Sequence, residues 1–324
     1  MHEYPEYIGP EWVGEEIDPT QFPRALFDIS YASASESEKL DIYLPPKGDG
    51  PFPFIFYIPG GGWKSGGKRG SSHANVLKAL WRGYALVIID YRYSTEGHWP
   101  LQLFDAKAAL RFVRAHASEY HLDPDHVAAW GNSAGGHIAN MLTATGSTHI
   151  LEDPSMGNAN QSCAIQALVS WYSPIDLAAM DLTSTLGDGP HPLGPVRPHR
   201  HAYPAEEGLL PTPEACVLGF VPRKFAAVAA MSNPMEFVTP AFPPALYQNG
   251  SADEVVPWTQ ASGMVRHIND ICGDERARCE ILPGPHGAPS IKSEANVNRC
   301  IDFIDEVFYG EPRPHGALPE IVIR

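Results

Sequence analysis

The sequence has no long apolar run and is short of positive charge. No run approaches the roughly 20 apolar residues that a membrane-spanning helix requires. The opening residues, MHEYPEYIGPEWVGEE, lack the basic start and apolar stretch of a secretory signal, so we expect a cytoplasmic protein. Lys and Arg number 23 against 38 Asp and Glu, a formal net charge of −15. Because nucleic acids and anionic membranes bind basic surfaces, neither is expected as a partner.

Disulfide bonds are not expected either. An odd number of cysteines in a long chain without an export signal favours reduced thiols. A Cys272–Cys279 pair stays an alternative if the chain is exported by a route that the sequence does not reveal. The five cysteines are Cys163, Cys216, Cys272, Cys279 and Cys300.

The histidines show no metal-binding pattern. His191, His199 and His201 lie close together, but no Cys or carboxylate accompanies them at a recognised ligand spacing. We therefore expect no metal ion, and nothing in the sequence calls for another cofactor.

Apolar runs rich in β-branched and aromatic residues alternate with helix-like segments. This alternation is typical of an α/β fold, in which helices cover both faces of a mostly parallel sheet. The clearest helix spans 101–120, where Leu103, Ala106, Leu110 and Val113 recur at spacings of three and four. The predicted strands are 40–45, 52–60, 84–92, 126–132, 165–173, 244–250 and 278–284.

One region departs from the alternation. Residues 177–240 include LGDGPHPLGPVRPHRHAYP, which is too rich in proline and glycine for a strand or a long helix. We interpret 177–240 as a cap-like insertion over one end of the sheet, within a domain at 26–310. Residues 1–25 are interpreted as an N-terminal arm. The tail, 311–324, is expected to pair with a sheet edge or a second subunit, so a homodimer is one expectation.

The segment AAWGNSAGGH places Gly131-Asn132-Ser133-Ala134-Gly135 between an apolar strand and a helix. G-x-S-x-G by itself is a weak motif, but a sharp strand-to-helix turn exposes the serine above the sheet. Small residues on both sides allow strand and helix to approach. Ser133 is therefore the predicted nucleophile of a hydrolase.

A serine nucleophile needs a base, and in this type of fold the order along the chain is Ser, acid, His. Asp253 follows the predicted strand 244–250, and His286 follows 278–284. Both lie at the carboxyl edge of the sheet, where open α/β sheets bind ligands. They are the predicted acid and base, with Glu254 as the rival acid.

The glycine-rich stretch IFYIPGGGWKSGGKR, residues 55–69, admits two interpretations. From Gly62 to Lys68 it matches a nucleotide-binding P-loop, but Arg69 stands where that loop needs Ser or Thr to hold Mg²⁺. The other interpretation is an oxyanion hole, since glycines after an early strand can offer main-chain N–H groups to a developing negative charge. The N–H of Ala134, directly after the nucleophile, would complete the hole. The presence of Ser133, Asp253 and His286 favours the oxyanion hole.

From about residue 25 to 309 the chain resembles the α/β-hydrolase superfamily, in particular the esterase/lipase group with hormone-sensitive-lipase-like and feruloyl-esterase-like enzymes. By that resemblance Gly61, Gly62 and Ala134 are oxyanion donors, and Asp90 and Asp105 have structural roles. The motifs that carry it are PGGGW (59–63), DYRYS (90–94), DAKAALRFVRAHA (105–117), WGNSAGGH (130–137), NGSADEVVP (249–257) and PGPHG (283–287).

The resemblance implies a metal-independent serine hydrolase that cleaves small carboxylic esters through an acyl-enzyme. Trp63 and Val256 are candidate pocket walls, with buried packing as the alternative for each. Pro59 replaces the histidine that usually holds the glycine loop in this group, which affects the expected loop placement. An arylformamidase, or another small-amide hydrolase, is the alternative enzyme. A non-catalytic receptor of the same fold is the alternative outside the enzymes.

Overall fold

The computed structural model describes residues 15–180 and 212–324, together with the backbone of 181–183, 190–191 and 194–195. An eight-stranded sheet forms its centre, and a two-residue hairpin (β7 and β8) forms a sheet of its own. The strands are β1 Ala25–Ser30, β2 Lys39–Tyr43, β3 Phe52–Ile58, β4 Ala85–Ile89, β5 Leu122–Asn132, β6 Ala167–Trp171, β7 Pro190–His191, β8 Gly194–Pro195, β9 Ala245–Gly250 and β10 Ala277–Leu282.

The strand order across the large sheet is β1-β2-β4-β3-β5-β6-β9-β10. The pairings β1–β2 and β2–β4 are antiparallel, and the other five are parallel. The predicted mostly parallel sheet is therefore confirmed. Strand β1 was not predicted. It is an edge strand whose residues, including Leu26 and Phe27, are mostly exposed, so it lacks the buried apolar run by which the others were found.

The helices lie between the strands in the chain. The predicted helix 101–120 is confirmed as α1 but ends at Ala115, and its four periodic apolar residues are all buried. A 12-residue 3₁₀ helix, Ser71–Arg82, precedes β4. The α-helices are α1 Leu101–Ala115, α2 Ser133–Thr145, α3 Leu177–Thr183, α4 Pro213–Leu218, α5 Ala226–Ala229, α6 Trp258–Cys272, α7 Pro289–Lys292 and α8 Glu294–Tyr309. The shorter 3₁₀ helices are Pro19–Gln21, Pro154–Met156, Pro222–Phe225, Ala230–Ser232 and Pro234–Phe237.

Both faces of the sheet are buried, and the alternation of side chains along each strand divides the core in two. On β3, Phe54 and Phe56 belong to the cluster that contains residues of α1, α2 and α6. Ile55 and Tyr57 belong to the cluster that contains residues of the Ser71–Arg82 helix and α8. A strand buried on both faces must be apolar at every position, which explains the continuous run FIFYI. The helices thus cover both faces, as predicted.

The C-terminal tail pairs with the part of the N-terminal arm that the structure describes. Ile17 and Ile323 form an antiparallel bridge, and the main chains of Glu16 and Arg324 exchange two hydrogen bonds of 2.8 Å. The tail therefore contacts the N-terminal arm rather than the edge of the large sheet. The homodimer and the domain bounds stay predictions.

The remaining sequence-based expectations concern disulfide bonds, metal ions and membrane-spanning helices. None of the five cysteines, all of which the structure describes, forms a disulfide bond. The side chains of His191, His199 and His201, and much of the predicted insertion, lie outside the described residues. Within residues 15–180 and 212–324 no helix is both long and apolar enough to cross a membrane. The same part of the chain contains no group of three or more His, Cys, Asp or Glu residues that could hold a metal ion.

Candidate active site

The strand-to-helix turn at Ser133 is sharp. β5 ends at Asn132, α2 begins at Ser133, and Ser133 itself has a φ of +50°. A side chain in this left-handed region is strained, and such strain is held by the surrounding structure. A Cβ atom on Gly135 would lie 2.1 Å from the carbonyl oxygen of Ile58, and one on Gly131 would lie 2.5 Å from that of Gly135. Only glycine fits at either position.

Three residues that are far apart in sequence meet at this turn. Nε2 of His286 lies 3.0 Å from Oγ of Ser133, across 153 positions of sequence. Nδ1 of the same ring lies 2.8 Å from Oδ2 of Asp253. Both distances are within hydrogen-bond range, so the predicted nucleophile, base and acid form one continuous chain of contacts.

The carboxylate of Asp253 is held from several directions and its side chain is fully buried. Its Oδ1 accepts the main-chain N–H groups of Val255 at 2.9 Å and Val256 at 2.8 Å. Its Oδ2 also accepts a hydrogen bond of 3.3 Å from the side-chain amide of Asn249. With one oxygen fixed by the backbone, the other faces His286. Of the two neighbouring acids, Asp253 is therefore the one in contact with the imidazole.

Tyr172 lies directly against the histidine, and the sequence did not single it out. Its ring packs edge-on against His286, with centroids 4.7 Å apart and planes at 72°. Burial raises the pKa of its phenol, which keeps Tyr172 neutral. It follows β6 immediately, and a position at the carboxyl end of a central strand was the available signal.

The glycine loop turns tightly beside Ser133. A Cβ atom on Gly60 would lie 3.1 Å from the Cβ of Ser133, so the loop and the nucleophile are in close contact. Gly61 and Gly62 have φ values of +134° and +62°. A Cβ on Gly61 would lie 1.9 Å from the carbonyl oxygen of Ser65, so Gly61 has no room for a side chain.

The main-chain N–H groups of the glycine loop and of the start of α2 are the candidate oxyanion donors. Of the described residues, none accepts a hydrogen bond from the main-chain N–H of Gly61 or Gly62. Ala134 belongs to the first turn of α2, where N–H groups have no partner within a helix. The predicted donors Gly61, Gly62 and Ala134 thus have no main-chain hydrogen-bond acceptor among the residues that the structure describes.

The two basic residues at the end of the glycine-rich stretch, Lys68 and Arg69, are already paired. Nζ of Lys68 lies 2.6 Å from Asp90 and 3.0 Å from Asp28. The guanidinium of Arg69 contacts Asp41 at 2.7 Å and Asp28 at 2.8 Å. These carboxylates occupy the charges that a phosphate would need, so the arrangement does not favour nucleotide binding.

Asp90 and Asp105 each accept hydrogen bonds from the main chain and the side chain of one basic residue. Asp90 accepts the main-chain N–H of Lys68 at 2.8 Å as well as its ammonium group. Asp105 is fully buried and accepts the main-chain N–H of Arg92 at 2.8 Å together with its guanidinium group. These contacts fix the segments after β3 and β4.

Trp63 and Val256 are each 2% exposed. The indole of Trp63 packs edge-on against His137, with ring centroids 5.4 Å apart. His137 also contacts Trp99 and its Nε2 lies 2.7 Å from the carbonyl oxygen of Ser232. Burial lowers the pKa of His137 to about 4. Both candidate pocket walls thus lie beside the site but are packed against the protein.

A family model assigns the chain to a group. The model described as BD-FAE matches residues 40–268, most of the sheet and the serine turn. The chain belongs to the BD-FAE family. The resemblance to the esterase/lipase group of the α/β-hydrolase superfamily is thereby confirmed.

Individual proteins similar to this BD-FAE member are named as esterases. The probable carboxylic ester hydrolase LipM of Mycobacterium tuberculosis is 30% identical over 305 residues, which are 90% of this chain and 64% of LipM. This chain therefore spans less than two thirds of that relative.

Solved structures share the fold. A truncated form of a carbohydrate esterase from gut microbiota is 28% identical with a TM-score of 0.74, and the match covers 90% of this chain and 98% of that one. The Est2 esterase of Thermogutta terrifontis is 23% identical with a TM-score of 0.64, and the match covers 92% of this chain and 96% of Est2. At that identity Est2 shows the fold alone, and the fold is that of the α/β hydrolases.

Proposed function

We propose that this protein is a carboxylic ester hydrolase that acts through an acyl-enzyme on Ser133. The observation that carries the proposal is the chain of contacts from Ser133 through His286 to Asp253, at 3.0 Å and 2.8 Å. Such a chain is needed because a serine hydroxyl is a weak nucleophile until a base accepts its proton. The names of the relatives, carboxylic ester hydrolase and carbohydrate esterase, support the same reaction class.

The first half of the reaction forms the acyl-enzyme. Nε2 of His286 takes the proton of Ser133, whose Oγ attacks the ester carbonyl. Asp253 holds the Nδ1–H tautomer and stabilises the imidazolium. The N–H groups of Gly61, Gly62 and Ala134 bind the carbonyl oxygen as it becomes negative. The tetrahedral intermediate then expels the alcohol, which receives its proton from His286.

The second half repeats these steps with water. His286 accepts a proton from water, which attacks the acyl carbon, and the same N–H groups bind the second oxyanion. Collapse of this intermediate releases the acid and returns the proton to Ser133. No step requires a metal ion or an organic cofactor.

For the substrate we propose short acyl esters, among them acylated carbohydrates. A panel of p-nitrophenyl esters from acetyl to decanoyl, with acetylated and feruloylated sugars, would rank them. An N-formyl aromatic amine in the same panel tests the arylformamidase alternative, since turnover of the formamide above every ester would reassign the reaction.

The test of the proposal compares the full chain with its Ser133→Ala variant. Ser133 is partly exposed and alanine removes a single oxygen atom, so the variant should keep its circular dichroism spectrum. We expect turnover of a short ester to fall by about 10⁴ to 10⁶. A folded variant with substantial remaining activity would overturn the assignment.

A further inference from the structure

The side chain of Asn132, the residue before the nucleophile, connects two parts of the candidate site. Asn132 is 6% exposed. Its Oδ1 accepts a hydrogen bond of 3.0 Å from the main-chain N–H of Gly60 and one of 2.8 Å from the phenol of Tyr57. Gly60 begins the glycine loop, and Tyr57 is on β3 just before it. One amide oxygen therefore holds the loop and the strand that leads into it.

The orientation of this amide follows from its partners. A main-chain N–H can only donate, so the Asn132 atom that faces Gly60 must be the oxygen rather than the nitrogen. The amide nitrogen lies close to the loop as well, since a Cβ atom on Gly60 would be 2.7 Å from it. It interacts with the phenol of Tyr172, where it partly opposes the effect of burial on the pKa of that group. Tyr172 is the ring packed against His286.

The side chain of residue 59, just before the loop, makes no hydrogen bond to it. Pro59 has no side-chain donor or acceptor, and the loop contact that it makes is through its carbonyl oxygen, which accepts 3.0 Å from the phenol of Tyr91. That contact joins the start of the loop to the segment after β4.

We propose that Asn132 is the positioning residue of the oxyanion loop, which it fixes to the serine turn through Gly60. Because Asn132 is bonded directly to Ser133 in the chain, the same residue sets the nucleophile and the loop relative to each other. The proposal rests on the proposed function, since it concerns the placement of the oxyanion donors. Asn132 itself does not touch the substrate.

The expected kinetic effect is specific. Misplacement of catalytic groups by about 1 Å can cost roughly 10² in rate, whereas removal of an oxyanion donor costs about 10² to 10³. Asn132→Leu is close in volume and removes the acceptor, so we expect kcat to fall by roughly 10 to 10² with KM within about threefold. Binding of a trifluoromethyl ketone, which forms an oxyanion adduct with the serine, should weaken by a similar factor.

Two further variants separate the hydrogen bond from general packing. Asn132→Asp keeps an acceptor of the same shape for Gly60, so it should be clearly more active than Asn132→Leu. Asn140→Leu is the matched control, because Asn140 is a buried amide on α2, the helix that follows Asn132, and donates hydrogen bonds of 2.7 Å to Gly136 and 2.8 Å to Ser170. We expect it to lower the melting temperature while kcat stays within about threefold of the wild type.

Three results would overturn the proposal. The first is an unchanged kcat in folded Asn132→Leu, and the second is an equal loss in Asn132→Leu and Asn132→Asp. If Asn132→Leu does not fold, hydrogen exchange in the wild type decides. The Gly60 amide should be protected, and exchange as fast as an open loop would be the third contrary result. Loss of activity in Ser133→Ala alongside any of these would leave the proposed function standing.

Discussion

Nε2 of His286 lies 3.0 Å from Oγ of Ser133, and this contact joins the last strand-end loop of the sheet to the turn between β5 and α2. Ser133 follows β5 and His286 follows β10, and β6 and β9 lie between these two strands in the sheet. Because all four strands are parallel, their carboxyl ends meet at one edge, and the loops after them converge. The geometry of the candidate triad is therefore a consequence of the strand order.

Asp253→Asn should be far more harmful than Glu254→Gln. Asparagine can keep an oxygen toward the N–H groups of Val255 and Val256, but it then presents an NH₂ group to Nδ1 of His286. The ring adopts the wrong tautomer, and we expect kcat to fall by about 10⁴. Glu254→Gln, the control with the neighbouring acid, should stay within about tenfold. Steady-state kinetics with one short ester decide, and a larger loss in Glu254→Gln would refute our assignment of the acid.

The two loop glycines should differ in their tolerance of alanine. A Cβ on Gly61 would collide with the carbonyl of Ser65 at 1.9 Å, whereas on Gly62 its nearest neighbour is Pro213 at 3.6 Å. Both variants keep their N–H group, so any loss reflects displacement of the loop. We expect kcat to fall by about 10² or more in Gly61→Ala and by less than about tenfold in Gly62→Ala. Equal losses would mean that crowding at Gly61 does not control the loop.

Pro59→His should preserve most of the activity. The contacts of this position with the site are made by its main-chain carbonyl, which accepts the phenol hydrogen of Tyr91 at 3.0 Å. A histidine keeps that carbonyl, and Asn132 continues to hold Gly60. We expect kcat/KM to stay within about tenfold, or roughly 1.4 kcal/mol in the barrier. Measured in parallel with Asn132→Leu, a greater loss in Pro59→His would place the control of the loop at position 59.

The buried His137 should make the protein sensitive to acid. Its pKa is lowered to about 4 by burial, against about 6.5 in an unfolded chain. Between these values the unfolded state binds more protons, so the free energy of unfolding falls as the pH decreases from 6.5 and the loss is complete below about 4. At pH 5 this group should lower it by about 2 kcal/mol.

His137→Gln tests this by urea unfolding at pH 7 and pH 5. Glutamine keeps an N–H donor for the carbonyl of Ser232 but does not titrate. The difference in unfolding free energy between the two pH values should therefore be smaller in the variant by about 2 kcal/mol. An identical difference in wild type and variant would show that His137 does not stay neutral in the folded state.

The elements that the sequence predicted correctly are those with strong local patterns. Strands β3 and β4 are apolar at nearly every position because both faces are covered, and the G-x-S-x-G turn is fixed by close backbone contacts at Gly131 and Gly135. Ser133 was located by its G-x-S-x-G turn, and Asp253 and His286 by their positions after predicted strands. The structure brings the three into contact.

The residues that the sequence missed depend on contacts across the sheet. The role inferred for Asn132 requires the approach of β3 to β5, and Tyr172 reaches His286 only through the placement of β6 beside β5. Neither relation leaves a periodic or spacing signal. The exposed edge strand β1 was missed for the opposite reason, since little of it is buried.

Covalent labelling of the full chain with a fluorophosphonate tests the nucleophile most directly. Such a reagent phosphonylates an activated serine, and peptide mapping by mass spectrometry locates the adduct. We predict one adduct per chain, on Ser133, with ester hydrolysis lost in proportion to labelling and no adduct in Ser133→Ala. An adduct on another residue, full hydrolytic activity after complete labelling of Ser133, or no labelling of a folded and active protein would contradict the account.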